Sequence, residues 1–501
     1  MFRLIVFVLF FNLITVPAHA LGEFKITASD ADALDEFGTA VSVSGDYAIV
    51  SASRNSDDGY RSGAAYIFVR NGDQWIEQTK LTASDADAED YFGRSVCISD
   101  DYAIVSSYRN DDDGEDSGSA YIFVRNGDNW SEQTKLTASD ARTRDIFGWS
   151  VSISGDYAII GSYLDDDDGE NSGSAYIFVR NGEEWIEQVK LNASDAEEGD
   201  RFGFSVSNEG NSAIIGAIRD THNGILSGSA YIFQREGEDW VERAKLFPME
   251  ADSADFFGWS VNIYGESVIV GAPHHEDSGS VYFFTCEGEE WTEQTRLNAS
   301  DAEAEDRFGY TVSIIEDSAI IGAHGNNHNG NDLSGSAYIF IKEGDDWIER
   351  SKLMASDIGD DDGFGYFVSV SGDNAIVGSP GHSDDGQNSG AAYIYSGLGS
   401  LTSAPDNSGD ISLPFNIFLS SPYPNPFNST TTIEYGLPML GEISLILYDL
   451  TGQQVNVIYN GRQNAGHHSL SLNKGNLSSG LYFIRLNTAN QVFTQKVLLI
   501  R

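Results

Sequence analysis

The chain has 501 residues, 41% of them hydrophobic and 12% aromatic, and its 77 acidic against 29 basic side chains give a formal net charge of −48. That much apolar material excludes a wholly disordered chain, and the length predicts two or more domains. Charge of this sign and size excludes nucleic acid as a partner, since like charges repel over the whole approach, and favours cations and cationic surfaces.

Residues 1–20 read as a secretory signal peptide. Arg3 supplies a positive start, Leu4 to Val16 form an apolar run, and Ala18 and Ala20 place small residues where cleavage requires them. No later stretch is apolar for long enough to span a bilayer, so no transmembrane segment is expected, and the mature chain belongs outside the cytoplasm. The two cysteines, Cys97 and Cys286, fall in strands of different repeats and are not expected to pair.

From residue 21 to 397 the chain repeats itself. Phe-Gly recurs at Phe37, Phe92, Phe147, Phe202, Phe257, Phe308 and Phe364, at steps of 55, 55, 55, 55, 51 and 56. Each unit carries four strand-like runs. In the third these are 147–154, 157–162, 172–180 and 185–194, and Asn181-Gly182 marks a hairpin between the last two. Four antiparallel strands repeated seven times describe the blades of a β-propeller. Only six tryptophan-led fourth strands exist, at Trp75, Trp130, Trp185, Trp240, Trp291 and Trp347, and the seventh unit lacks one. The run at 24–30 matches the fourth strands of later units, so the N-terminal strand is predicted to complete the last blade and close the ring.

Phe-Gly, a Ser-Val strand, runs such as VIVGAP (268–273) and AIVGSP (375–380), and then GSAYIF together resemble the FG-GAP repeat. That resemblance implies a seven-bladed, integrin-α-like propeller. Members often carry a calcium loop between the first and second strands, where this chain has tight turns such as Ser154-Gly155-Asp156. The family's usual calcium site therefore does not carry over.

Strand parity places the long, variable loops between second and third strands on one face, together with the links between blades. That face is predicted to be acidic and to form the contact surface. Two aspartates recur in every link. One series is Asp35, Asp90, Asp145, Asp200, Asp255, Asp306 and Asp362, and the other runs from Asp30 to Asp357 with Glu250 in the fifth unit. Residues present in every unit are read as turn caps. A unique site is sought where units differ. Asp111, Asp112 and Asp113, with Asp165, Asp166, Asp167 and Asp168, are dense enough in oxygen to coordinate calcium, although Arg109 and Leu164 break the EF-hand pattern. The alternative is a solvated acidic loop. His274, His275, His324 and His328 form a second candidate, for a transition metal, against exposed loop histidines. No catalytic residue is assigned.

Residues 398–414 read as a linker. Residues 415–501 carry five basic and three acidic side chains, and their alternating runs predict a small β-sandwich. YPNPFN (423–428), LYDLTGQ (447–453), SSGLYFIRL (478–486) and the terminal KVLLIR (496–501) resemble the type A sorting domain of the Bacteroidota type IX secretion system. The resemblance implies export across the outer membrane, and contact with that machinery through residues such as Pro424, Asn425, Pro426, Phe427, Lys496 and Arg501. It also implies release or attachment to surface lipopolysaccharide. The sequence thus predicts an all-β, extracellular or surface-displayed binding or adhesion protein with a macromolecular or glycan ligand. A carbohydrate-active hydrolase or lyase and a structural surface-layer component are the alternatives.

Overall fold

A computed structural model gives the architecture of residues 21–402, apart from 73, 223–224, 251 and 328–330. It also gives residues 418–500, apart from 420–424, 429, 438–440, 451–452, 464–465, 475–476 and 489–491. Ala18 and Ala20 of the predicted signal peptide, His328, Pro424, Arg501 and most of the predicted linker lie outside the described residues. The chain divides into two compact units, Met1–Thr402 and Ser403–Arg501.

The first unit contains seven four-stranded antiparallel sheets, the blades of the predicted propeller. The three inner strands of a blade are mostly buried and the outermost is not. In blade three the second strand (Tyr157–Ser162) is buried on both faces, because neighbouring blades cover it on either side. The fourth strand (Glu184–Leu191) buries only Trp185 and Leu191, and its other positions are exposed or half-buried. The hydrophobic core therefore lies between blades: Ile104, Ile122 and Leu136 of blade two pack with Phe147, Val151 and Tyr176 of blade three.

Gly22–Ile26 pairs antiparallel with Ala391–Ser396, setting Phe24 opposite Ile394, and so supplies the fourth strand of blade seven. Side chains reinforce the closure. Glu23 Oε1 accepts the Ser356 hydroxyl at 2.5 Å, and Lys25 Nζ donates to Asp357 Oδ2 at 2.7 Å. Leu21, Leu398 and Leu401 are buried against blades six and seven, so the start of the predicted linker belongs to the propeller core.

The Phe-Gly pair is the structural signature of each blade. All seven phenylalanines are fully buried. Phe202 meets Tyr231 edge-on with ring centroids 5.4 Å apart. Gly203 follows at φ +88°, and a Cβ there would lie 2.2 Å from the Ser174 carbonyl oxygen. Both the backbone conformation and the space demand glycine. Cys97 and Cys286 are free thiols, as expected.

The second unit comprises a three-stranded sheet (418–419, 430–437, 466–473) and a four-stranded sheet ordered 454–463, 441–448, 480–487, 492–499. Ile433, Tyr435, Leu445, Leu447, Ile484 and Leu486 share its core, as alternation predicts for a sandwich.

Candidate binding site

The recurring aspartates are structural, in two different ways. Oδ2 of Asp35, Asp90, Asp145, Asp200, Asp255, Asp306 and Asp362 each accepts the backbone N–H three residues upstream, at 2.6–3.1 Å. These are the expected turn caps. The other series is clamped by side chains instead. Asp85 accepts the Tyr121 hydroxyl at 2.8 Å and the Lys135 ammonium at 2.7 Å, and the arrangement recurs at Asp30, Asp140, Asp195, Asp301 and Asp357. Burial alone would raise the Asp85 carboxyl, but Lys135 and Tyr121 hold it below the usual carboxylate range.

The same lysines reach the acidic loops proposed for calcium. Lys190 Nζ donates to Asp140 at 2.8 Å, Asp165 at 2.9 Å and Asp167 at 2.5 Å. Lys135 pairs with Asp112 in the equivalent way. Asp111 and Asp166 accept backbone N–H groups of Asp116 and Asn171, both at 2.7 Å, and Asp168 accepts from the Asn192 amide. Asp113 is exposed. A lysine ammonium therefore stands where three blade-three carboxylates converge.

Twenty residues after each capping aspartate lies a buried partner that differs between blades: Asn55, Asn110, Asp165, Asp220, His275, Asn326 and His382. Asn326 Nδ2 donates to Asp306 at 2.8 Å, whereas in blades three and four a second carboxylate faces the first. Burial, with the charge of Asp165 added, pushes Asp145 up to about 6 against the Arg142 N–H. Asp200 rises to about 6 beside Asp220 by the same causes.

Of the candidate histidines, the structure sets His275 apart from His274 and His324. His275 is buried, with Nδ1 2.9 Å from Asp255 and Nε2 2.8 Å from the Arg296 guanidinium. The neighbouring His274 lines a central cavity. His324 packs against Tyr310 at 4.0 Å, and burial together with Arg307 and His274 lowers it to about 3. Among the described residues, the two groups with metal-ligand spacing are Asp140/Asp165/Asp167 and Asp357/His382/Asp384. Neither contains His274, His275 or His324, and Lys190 and Lys25 respectively already bond to their members.

The cavity at the hub was not foreseen from the sequence. It occupies about 620 Å³ and is lined by the residues that follow Phe-Gly in the first strands of blades two to seven, and by residues just beyond the second strands such as Tyr163, Arg219 and His274. Strand direction opens it on the long-loop face. Rings form a continuous arc: Trp149 to Phe204 at 5.6 Å, Phe204 to Trp259 at 4.8 Å, Trp259 to Tyr310 at 5.5 Å and Tyr310 to Tyr366 at 5.2 Å. Arg94, Arg201 and Arg219 line it too, and among the described residues no carboxylate does. The Arg94 guanidinium lies 4.0 Å over the Trp149 ring. Burial and the neighbouring Arg219 lower the pKa of Arg201. The acidic loops are thus a rim around a cationic, aromatic centre. Sequence reasoning followed residues common to every blade and the densest charge. The signal it passed over is the one position after Phe-Gly that varies: Thr39, Arg94, Trp149, Phe204, Trp259, Tyr310, Tyr366.

In the second unit the two ends of the sorting motif meet. Asn425 Oδ1 accepts Leu498 N–H at 2.8 Å, and Asn425 Nδ2 donates to the Lys496 carbonyl at 2.9 Å. Phe427 is buried and its backbone continues the bond pattern to Leu498 and Ile500. The Lys496 side chain is exposed.

Seven segments, 22–68, 75–123, 130–178, 185–233, 240–284, 291–340 and 347–395, match the FG-GAP repeat, one for each predicted unit. The chain belongs to the FG-GAP repeat family. Residues 421–500 of this FG-GAP protein match the secretion system C-terminal sorting domain, which places it across the outer membrane, at the cell surface or in the extracellular space, by the type IX route. No curated protein sequence matches it. Solved structures similar to the FG-GAP chain include two proteins designated 6-phosphogluconolactonases. The one from Bacteroides fragilis NCTC 9343 is 10% identical with a TM-score of 0.45, covering 68% of this chain and 97% of its own. The one from Bacteroides uniformis ATCC 8492 is 10% identical with a TM-score of 0.43, covering 64% and 86%.

Proposed function

We propose that this exported FG-GAP protein is a non-catalytic binding protein, and that its ligand seats in the hub cavity rather than on the acidic loops. The observation carrying this reading is a concave site of about 620 Å³, within the roughly 300–1,000 Å³ typical of ligand pockets, lined by the five rings of the arc, by Tyr163, Phe256 and Phe367, and by three guanidinium groups. Rings supply flat apolar area, and arginines supply forked donors that fix orientation. Paired-acid hydrolysis needs two carboxyl groups flanking the scissile bond, and among the described residues the cavity lining contains none. Neither thiol belongs to that lining, and burial raises the pKa of both.

A glycan array probed with the full-length secreted protein tests the reading. Wild-type protein should retain a defined subset of glycans, and Trp149→Ala with Trp259→Ala should lose them, whereas Asp113→Asn should not. Retention that depends on Asp113 and ignores both tryptophans would return the contact surface to the rim.

A further inference from the structure

The charge of the cavity is opposite to that of the chain around it. With 77 acids for 29 bases, most cations in the propeller are paired: Arg125 with Asp101, Arg180 with Asp156, and the clamp lysines with one carboxylate at Lys352 and two or three at the others. Arg94, Arg201 and Arg219 make no ion pair among the described residues, although acids are the commonest charged neighbours this chain could offer them. Three unpaired guanidinium groups around one cavity form a receptor for a negative group, and their forked donors match a carboxylate.

Ring geometry narrows the rest of the ligand. A nucleobase seats best between parallel rings. The arc instead tilts each ring on the next by 48°, 50°, 44° and 47°, so neighbouring rings close on each other and offer no parallel slot. Such a faceted apolar wall suits the puckered C–H face of a pyranose. The rim sets a further limit. Exposed acids such as Asp113, Asp166 and Asp168 repel a densely charged polymer, and at physiological salt their field decays over about 8 Å. An anion of low charge density can pass. Extracellular delivery puts such ligands within reach.

We infer that the hub cavity binds an acidic saccharide, a carboxylate-bearing sugar at or near a chain end, with Arg201 and Arg219 on the carboxylate and Trp149, Phe204 and Trp259 against the sugar faces. This rests on the cavity being the binding site.

Titration calorimetry on the full-length protein, with trigalacturonate and its carboxyl-reduced neutral counterpart, tests it. Trigalacturonate should bind, the neutral trisaccharide at least tenfold more weakly. Arg201→Gln and Arg219→Gln should each weaken the acid by about tenfold and leave the thermal midpoint unchanged. Equal affinity for both sugars, affinity unaffected by either arginine variant, or tighter binding of adenosine monophosphate would overturn the acid assignment. A neutral trisaccharide that binds as tightly as the acid and is lost on Trp149→Ala would overturn it while sparing the cavity as the binding site. Sugar binding indifferent to Trp149, Arg201 and Arg219 together would overturn both.

Discussion

Lys190 Nζ lies 2.9 Å from Asp165 Oδ2, a carboxylate on a residue only 2% exposed. The ammonium is the cation paired with this buried carboxylate, and burial without it would leave Asp165 uncompensated. Lys190→Met should destabilise the propeller by about 3 kcal/mol in urea unfolding, since removing one partner of a buried pair costs several kcal/mol. Lys190→Ala leaves Asp140, Asp165 and Asp167 within 4.8 Å of one another. Millimolar calcium should then raise the unfolding midpoint of the variant and leave the wild type unchanged. A rise in the wild type alone would show that the loop acids hold calcium despite the lysine.

Asp145 and Asp200 have their folded pKa values raised from 3.8 to about 6. A raised acid binds its proton more tightly in the folded state, so its contribution is fully present below about pH 4 and is lost as pH rises through 6. Asp165→Asn with Asp220→Asn installs the residue that blades one, two and six use, and Asn326 there still accepts from Lys352 at 2.9 Å. The double variant should gain about 1 kcal/mol per site at pH 7 and little at pH 4. Denaturation midpoints between pH 4 and 8 check this, and a gain equal at both ends would refute the paired-acid explanation.

Gly203→Ala places a methyl group against the Ser174 carbonyl, whereas Gly182, at φ +70°, has nothing within 4 Å of its would-be Cβ. Both changes strain a left-handed residue, but only the first also meets backbone. The expected loss is about 1 kcal/mol for Gly182→Ala and more than 2 kcal/mol for Gly203→Ala. Equal losses would mean that conformation alone, and not the close approach, fixes the repeat glycine.

Ile26 and Leu81 occupy the same position in successive fourth strands and are both 4% exposed. If the ring is closed in solution, Ile26→Ala should cost as much as Leu81→Ala, about 2–4 kcal/mol. A harmless Ile26→Ala would mean that blade seven stands without its N-terminal strand.

Asn425→Ala removes both of its side-chain bonds to the final strand. Its surface-exposed fraction, measured by protease accessibility of intact cells, should fall, with protein accumulating in the periplasm. Undiminished delivery would separate the sorting signal from this tie.

Much of this architecture was legible because repetition multiplies weak signals. One Phe-Gly says little, but seven at near-constant spacing fix blade boundaries, and the missing fourth strand after residue 396 points to its substitute at 22–26. The capping role of Asp35 and its counterparts was legible for the same reason. The roles of Asp165 and Lys190 were not, because 25 positions separate them and only the hairpin register brings Lys190 beneath the loop. The cavity was harder still. Arg94, Trp149 and Arg201 come from three blades, and averaging over repeats discards the positions where blades differ.

Closure through Gly22–Ile26 has a consequence for how the protein is made. Of these strands the first to leave the ribosome is the last to find its partner, since Ser396 follows its partner Gly22 by 374 residues. Until that partner arrives, both ends of the array are unpaired edges open to neighbouring chains. A chain held extended during passage through the inner membrane would reach its folding compartment with both edges available at once, and could join them before meeting another copy.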